Sequence, residues 1–145
     1  MLSATLDSNI YISALNFSGN PRRILNLART GHIRLDVSNE ILDETMGVLR
    51  DKFNWADDRL DGLKEHLAGF VNVITPAEKL RVVKDDPDDD KIVECATAAG
   101  SDYLVTGDKA ILKIGSHGKT RMVTATEFLE IMRRHGLRKA ESPEV

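Results

Sequence analysis

The chain has 145 residues, 41% hydrophobic and 30% charged, with a formal net charge of −3, a balance that excludes a disordered chain and suits one domain with a substantial core. A single cysteine, Cys95, excludes an internal disulfide framework and a thiolate metal site. No apolar run approaches the roughly 18 residues that cross a bilayer, and "MLSATLDSN" lacks the features of a signal peptide, so a cytoplasmic protein without membrane contact is expected.

In chain order, "LSATLD" (Leu2 to Asp7) predicts a short buried strand. "NPRRILNLARTG" predicts a helix with Asn20 as N-cap, Pro21 at the first helical position and Gly31 as its stop. "HIRLDVS" alternates Ile33, Leu35 and Val37 as a strand does, and Ser38 then caps a helix reaching about Leu49. A second helix is expected from about Trp55 to Phe70, then a strand at "VNVIT". An acidic stretch introduces a helix from about Asp88 to Ala99, followed by a strand at "DYLVTGD". A last strand and helix lie in "RMVTATEFLEIMRRHG", where Thr124 and Glu127 have capping-box spacing. Strands alternating with helices predict a three-layer α/β/α fold with a mostly parallel central sheet. A single domain is expected over residues 1–137, with a flexible tail over 138–145.

In such sheets ligands bind outside the carboxyl ends of the strands, which directs attention to the polar residues there. Asp7 ends the first strand, and Asp108 ends "YLVTGD". The plainer alternatives are a helix cap for Asp7 and an ordinary turn aspartate for Asp108. Glu44 lies three residues after Ile41 and four before Val48, on or beside the inward stripe of its helix, whereas Asp43 faces a polar side. A carboxylate there is costly unless paired or coordinated, and the plainer alternative is a Glu44 that snorkels out from the flank or pairs with an arginine. The stretch "KDDPDDDKIVECA" carries five aspartates between Asp85 and Asp90. Helix capping and the helix dipole account for one or two of them. By helical phase Asp89 extends the buried stripe of Ile92, Val93 and Ala96, while Asp90 and Glu94 lie at its edge as flanking or rival candidates. Asp7, Glu44, Asp89 and Asp108 together would make an oxygen-only, anionic site of the kind that prefers Mg²⁺ or Mn²⁺ and promotes phosphodiester hydrolysis.

These motifs, in this order, resemble the PIN-domain family of metal-dependent ribonucleases over nearly the whole chain. "TLDSNIYISAL" is similar to that family's opening strand, "SNEILDETMGVL" to its glutamate-bearing helix, and "DPDDDKIVECATAAGSDYLVTGD" to its third and fourth motifs joined. Within the family the chain most resembles VapC-like toxin components of toxin–antitoxin pairs. The resemblance implies Asp7, Glu44, Asp89 and Asp108 as metal-binding and catalytic acids, with Asn9 and Thr106 supporting them. An extra carboxylate at Asp90, where related chains often carry Asn, leaves the choice between Asp89 and Asp90 open. It further implies Mg²⁺ or Mn²⁺, an RNA substrate, a cognate antitoxin and a homodimer. Arg22, Arg23, Arg29, His32 and Arg34 form one basic group, and Lys109, Lys113, His117, Lys119 and Arg121 another. Arg22, Arg23, Lys109 and Lys113 are the candidate phosphate contacts. Trp55 is expected in packing or at a dimer contact rather than under a base. Three other readings compete. A PIN-like module could bind RNA or protein with little catalysis. A haloacid-dehalogenase phosphatase would want an aspartate where Asn9 stands, and a receiver domain an acidic pair where Asp7-Ser8 stands.

Overall fold

The computed structural model of the chain describes residues 1–77 and 90–141, with residues 137–141 as backbone only. Asp85, Asp86, Asp88 and Asp89 lie outside the described residues. The elements are β1 (Ser3–Leu6), α1 (Ser8–Asn16), α2 (Asn20–Arg29), β2 (Arg34–Ser38), α3 (Asn39–Phe53), α4 (Asp57–Ala68), β3 (Val71–Ile74), α5 (Asp90–Ala99), β4 (Tyr103–Val105), α6 (Lys109–Leu112), β5 (Ser116–His117), β6 (Thr120–Val123) and α7 (Ala125–Glu141).

The six strands form one sheet in the order β3-β2-β1-β4-β6-β5, parallel throughout except for β5, which returns antiparallel to β6. The three-layer, mostly parallel architecture read from the sequence is therefore present. All four residues of β1 are buried, so both faces of the central strand are covered, as a parallel strand requires. From β1 the chain winds outward through β2 and β3, then crosses back to place β4 on the other side of β1. The switch in winding direction falls between β1 and β4, where the carboxyl ends of neighbouring strands leave a crevice.

The main core joins Leu6, Tyr11, Ile24, Leu35, Ile41, Ile92, Leu104, Ile111 and Phe128, among others. A second cluster between α3 and α4 gathers Met46, Leu49, Trp55, Leu60, Leu63 and Leu67. Trp55 belongs to it: the ring is buried, its Nε1 donates to Asn16 Oδ1 at 3.3 Å, and the Arg59 guanidinium covers it 3.5 Å from the ring centre. Packing is thus the role of this tryptophan. Cys95 is fully buried, and burial pushes its thiol up to about 11, which makes it an inert core residue.

Local signals were mostly reliable at helix starts. Ser38 Oγ accepts from Ile41 N at 3.2 Å, and Thr124 and Glu127 exchange the two hydrogen bonds of a capping box, both at 3.1 Å. The start of α2 differs from expectation: Gly19 (φ 137°) takes the cap position and Asn20 is already helical. Asn20 instead donates to Thr126 Oγ1 at 3.1 Å and accepts from Arg23, tying the start of α2 to that of α7. Helix α1 was not anticipated, because "SNIYISALN" is rich in β-branched and aromatic residues. Burial of Ile10, Tyr11, Ile12 and Ala14 overrides that propensity.

One buried charge is structural. Asp36, on β2, is fully buried and accepts from Arg34 Nε and Nη2 at 2.8 and 3.2 Å, from Asn72 Nδ2 at 2.8 Å and from Ser101 Oγ at 2.7 Å. Every buried lone pair with a donor offsets part of the cost of removing the carboxylate from water. Among the described residues no helix is long and apolar enough to cross a membrane.

Candidate active site

Asp7 leaves the carboxyl end of β1 beside the switch crevice. Its backbone N–H donates to Val105 O on β4 at 3.0 Å, which carries the strand pairing one residue further. The side chain is 4% exposed and sits at the N-cap position of α1, where the Asn9 backbone N–H also stabilises its charge, so capping accounts for part of its environment. Its Oδ2 accepts from Thr106 Oγ1 at 2.8 Å, and its Oδ1 from Ser8 Oγ at 3.3 Å. Burial pushes the Asp7 carboxyl above the usual carboxylate range, Thr106 and the backbone N–H of Asn9 pull it back, and the negative charge of Glu44 pushes it up again. Asp7 and Glu44 thus share one electrostatic neighbourhood.

Thr106 joins the two strand-end acids. Fully buried at the end of β4, it donates to Asp7 while its Oγ1 accepts from the backbone N–H of Asp108 at 3.0 Å. Asp108 is half-buried, and its Oδ1 caps α6 by accepting from Ala110 N at 2.7 Å. The turn role foreseen as an alternative for Asp108 is real, but it uses one carboxylate oxygen and leaves the residue at the crevice beside Asp7.

Glu44 is half-buried on α3, and its neighbour Asp43 is exposed, as the helical phase required. It is paired with a cation, as the plainer alternative has it, but the partner is a lysine of another helix rather than an arginine: Lys91 Nζ on α5 lies 2.6 Å from Glu44 Oε2. That oxygen is closed off from solvent and has no hydrogen-bond donor in acceptable geometry among the described residues, so the contact with Lys91 is ionic rather than directional. Asp90, expected at the margin of its helix, is 7% exposed, and Glu94 is 5% exposed. The buried face of α5 is wider than the stripe read from the sequence because Cys95 and Glu94 also face inward. Asp89 lies outside the described residues, and among those described no three acidic, histidine or cysteine side chains gather closely enough to hold a metal ion. Asn9 is exposed on the first turn of α1.

The PIN domain family profile matches residues 3–110, which span β1 through the first residues of α6 and include all these acids. The chain belongs to the PIN domain family. A search of curated proteins gives no match. Among solved structures, a chain in the crystal structure of VapBC2 from Rickettsia felis, bound to a DNA fragment from their promoter, superposes with a TM-score of 0.59 at 18% identity. The match covers 85% of this chain and 98% of that one, and it shows a shared fold.

The basic residues of this PIN domain fall into separate places. Arg34 pairs with Ser3 at the amino ends of β2 and β1, binds Asp36 and Ala99 O, and stands at the opposite edge of the sheet from Asp7. Lys119 pairs with Asp102 at 3.4 Å, and Arg121 is in register with Tyr103, again at the amino end of β4. The two basic groups read from the sequence are therefore split, since sequence proximity does not distinguish the two ends of a strand. Arg22 and Arg23 lie at the start of α2, where Arg22 Nε binds Ala14 O at 3.1 Å and Arg23 binds Asn20. Lys109 and Lys113 are exposed at and just after α6, directly following Asp108.

Proposed function

We propose that this PIN domain is a metal-dependent endoribonuclease and the toxin component of a toxin–antitoxin pair. The observation that carries the reading is the Asp7–Thr106–Asp108 connection: two carboxylates from neighbouring strands, linked through one buried hydroxyl at the switch crevice. Two features of the donor set suit Mg²⁺ or Mn²⁺. Asp7 is a buried carboxylate whose partners are hydroxyls and an amide rather than a cation, and Glu44 Oε2 is a buried oxygen without an aligned donor. Asp7, Glu44 and Asp108 would hold the ion, with Asp89 completing the set and Asp90 as its rival or flanking acid. The bound cation would supply Lewis acidity toward a phosphodiester and a lower pKa for the attacking water.

The chain's own residues then have distinct tasks. Thr106 fixes the rotamer of Asp7 and the start of the Asp108 turn together. Ser8 holds the second oxygen of Asp7. Asn9 and Glu94 are supporting polar groups, and Lys109, Lys113, Arg22 and Arg23 are the candidate contacts to phosphates flanking the cut. A homodimer, an antitoxin whose segment covers the crevice, and a cytoplasmic setting complete the proposal.

The test is cleavage of a mixed RNA pool in Mn²⁺ or Mg²⁺, with EDTA as control. Asp7→Asn and Asp108→Asn are expected to lower the rate on the order of 10²–10³-fold. Equal cleavage by all three proteins sinks the assignment. RNA binding without cleavage favours a binding module, and phosphate release from small monoesters alone favours a phosphatase.

A further inference from the structure

Lys91 follows Asp90 on the first turn of α5 and reaches across to α3, where it meets Glu44. Its side chain is 23% exposed and that of Glu44 38%, so the pair is neither a loose surface bridge nor a fully desolvated one. Two observations set it apart from a structural ion pair such as Arg34–Asp36. The ammonium approaches Oε2 off hydrogen-bonding geometry, leaving that buried oxygen without an aligned donor. The glutamate it neutralises is also the one whose charge is felt by Asp7 in the crevice. A lysine ammonium is a compact point charge on a flexible stem, suited to occupying an anionic position that another cation can take over.

We propose that Lys91 is a tethered counter-ion for Glu44 that a divalent cation must displace. It is a positioning residue, setting the affinity of the site for metal without touching substrate. This rests on the metal-site reading given above. In the metal-free protein Lys91 neutralises Glu44 and limits the repulsion between Glu44 and Asp7. Glu44 would hold the divalent ion only with the Lys91 side chain turned away, so the exchange would offset part of the ion's binding energy.

The test is Mn²⁺ titration followed by the electron paramagnetic resonance signal of the free ion, at fixed ionic strength. The proteins are wild type, Lys91→Met, Lys91→Arg, Glu44→Gln and the Glu44→Gln/Lys91→Met double variant. Lys91→Met is expected to bind Mn²⁺ about tenfold more tightly than wild type, because the competing charge is gone. Lys91→Arg is expected to stay within about twofold of wild type, since the cation is retained. In the Glu44→Gln background the gain from Lys91→Met is expected to vanish, which a long-range charge effect would not produce. Unchanged or weaker binding by Lys91→Met overturns the proposal, as does an undiminished gain in the Glu44→Gln background. If wild type binds no Mn²⁺ at millimolar concentration, the metal-site reading fails as well; binding that is indifferent to Lys91 overturns this inference alone.

Discussion

Two aspartates lie buried in adjacent strands of the same sheet and are treated in opposite ways. Asp36, in the middle of β2, receives donors from Arg34, Asn72 and Ser101, including a two-pronged guanidinium. Asp7, at the end of β1, receives two hydroxyls and a backbone N–H but no cation among the described residues, and burial raises its carboxyl. The protein evidently can neutralise a buried carboxylate where it needs one for architecture. That it gives Asp7, at the strand end facing the switch crevice, neutral donors instead of a cation sets the two carboxylates apart, and perturbed carboxylates of the second kind are the ones the proposed function draws on.

Breaking the structural member should cost most. Asp36→Ala strands three donors at once and is expected to lower the unfolding free energy by about 3 kcal/mol, read from urea denaturation with an unchanged slope. A loss under about 1 kcal/mol would mean that those donors find water instead. An intermediate effect is expected from Thr106→Val, which keeps shape but removes the hydroxyl shared by Asp7 and the Asp108 turn. Nuclease turnover should fall about tenfold while stability falls by about 1 kcal/mol. If turnover is unaffected, the connection is not what orders the acids.

The smallest effect concerns Asp7 itself and is a gain. Because its folded-state pKa lies above the ordinary value of 3.8, burial of Asp7 costs stability once pH has risen above that raised pKa. As pH falls through the raised pKa, the folded state takes up the proton first and wild type recovers stability, completely so below 3.8. In EDTA, Asp7→Asn should therefore melt above wild type at pH 7, by about 2–4 °C for each kcal/mol recovered, with the advantage shrinking toward acid pH. An advantage independent of pH would point to packing rather than charge.

The sequence made one member of this pair visible and not the other. Asp7 stood out because it ends a strand, and strand ends are where such folds bind ligands. Asp36 interrupts an apolar strand with no local sign that Ser101, sixty-five positions away, would meet it. The same limit applies elsewhere. Helical phase put Glu44 on the inward side of α3, and cap chemistry found Ser38 and Thr124. Neither could reveal that Lys91, on another helix, meets Glu44, or that Arg34 sits at the far edge from Asp7. Helix α1 and the single turn of α6 were missed because tertiary burial forms the first and the second is shorter than any readable period.

The hydroxyl of Thr106 reaches a carboxylate 99 positions earlier in the chain. Contacts of such separation form late, since the loop between them must close before either end is rewarded. A nascent chain that has emerged only as far as α5 holds β1 to β3 but neither Thr106 nor Asp108, and its central strand still lacks a neighbour on one side. The hydroxyl link between Asp7 and the Asp108 turn is therefore absent until β4 docks against β1.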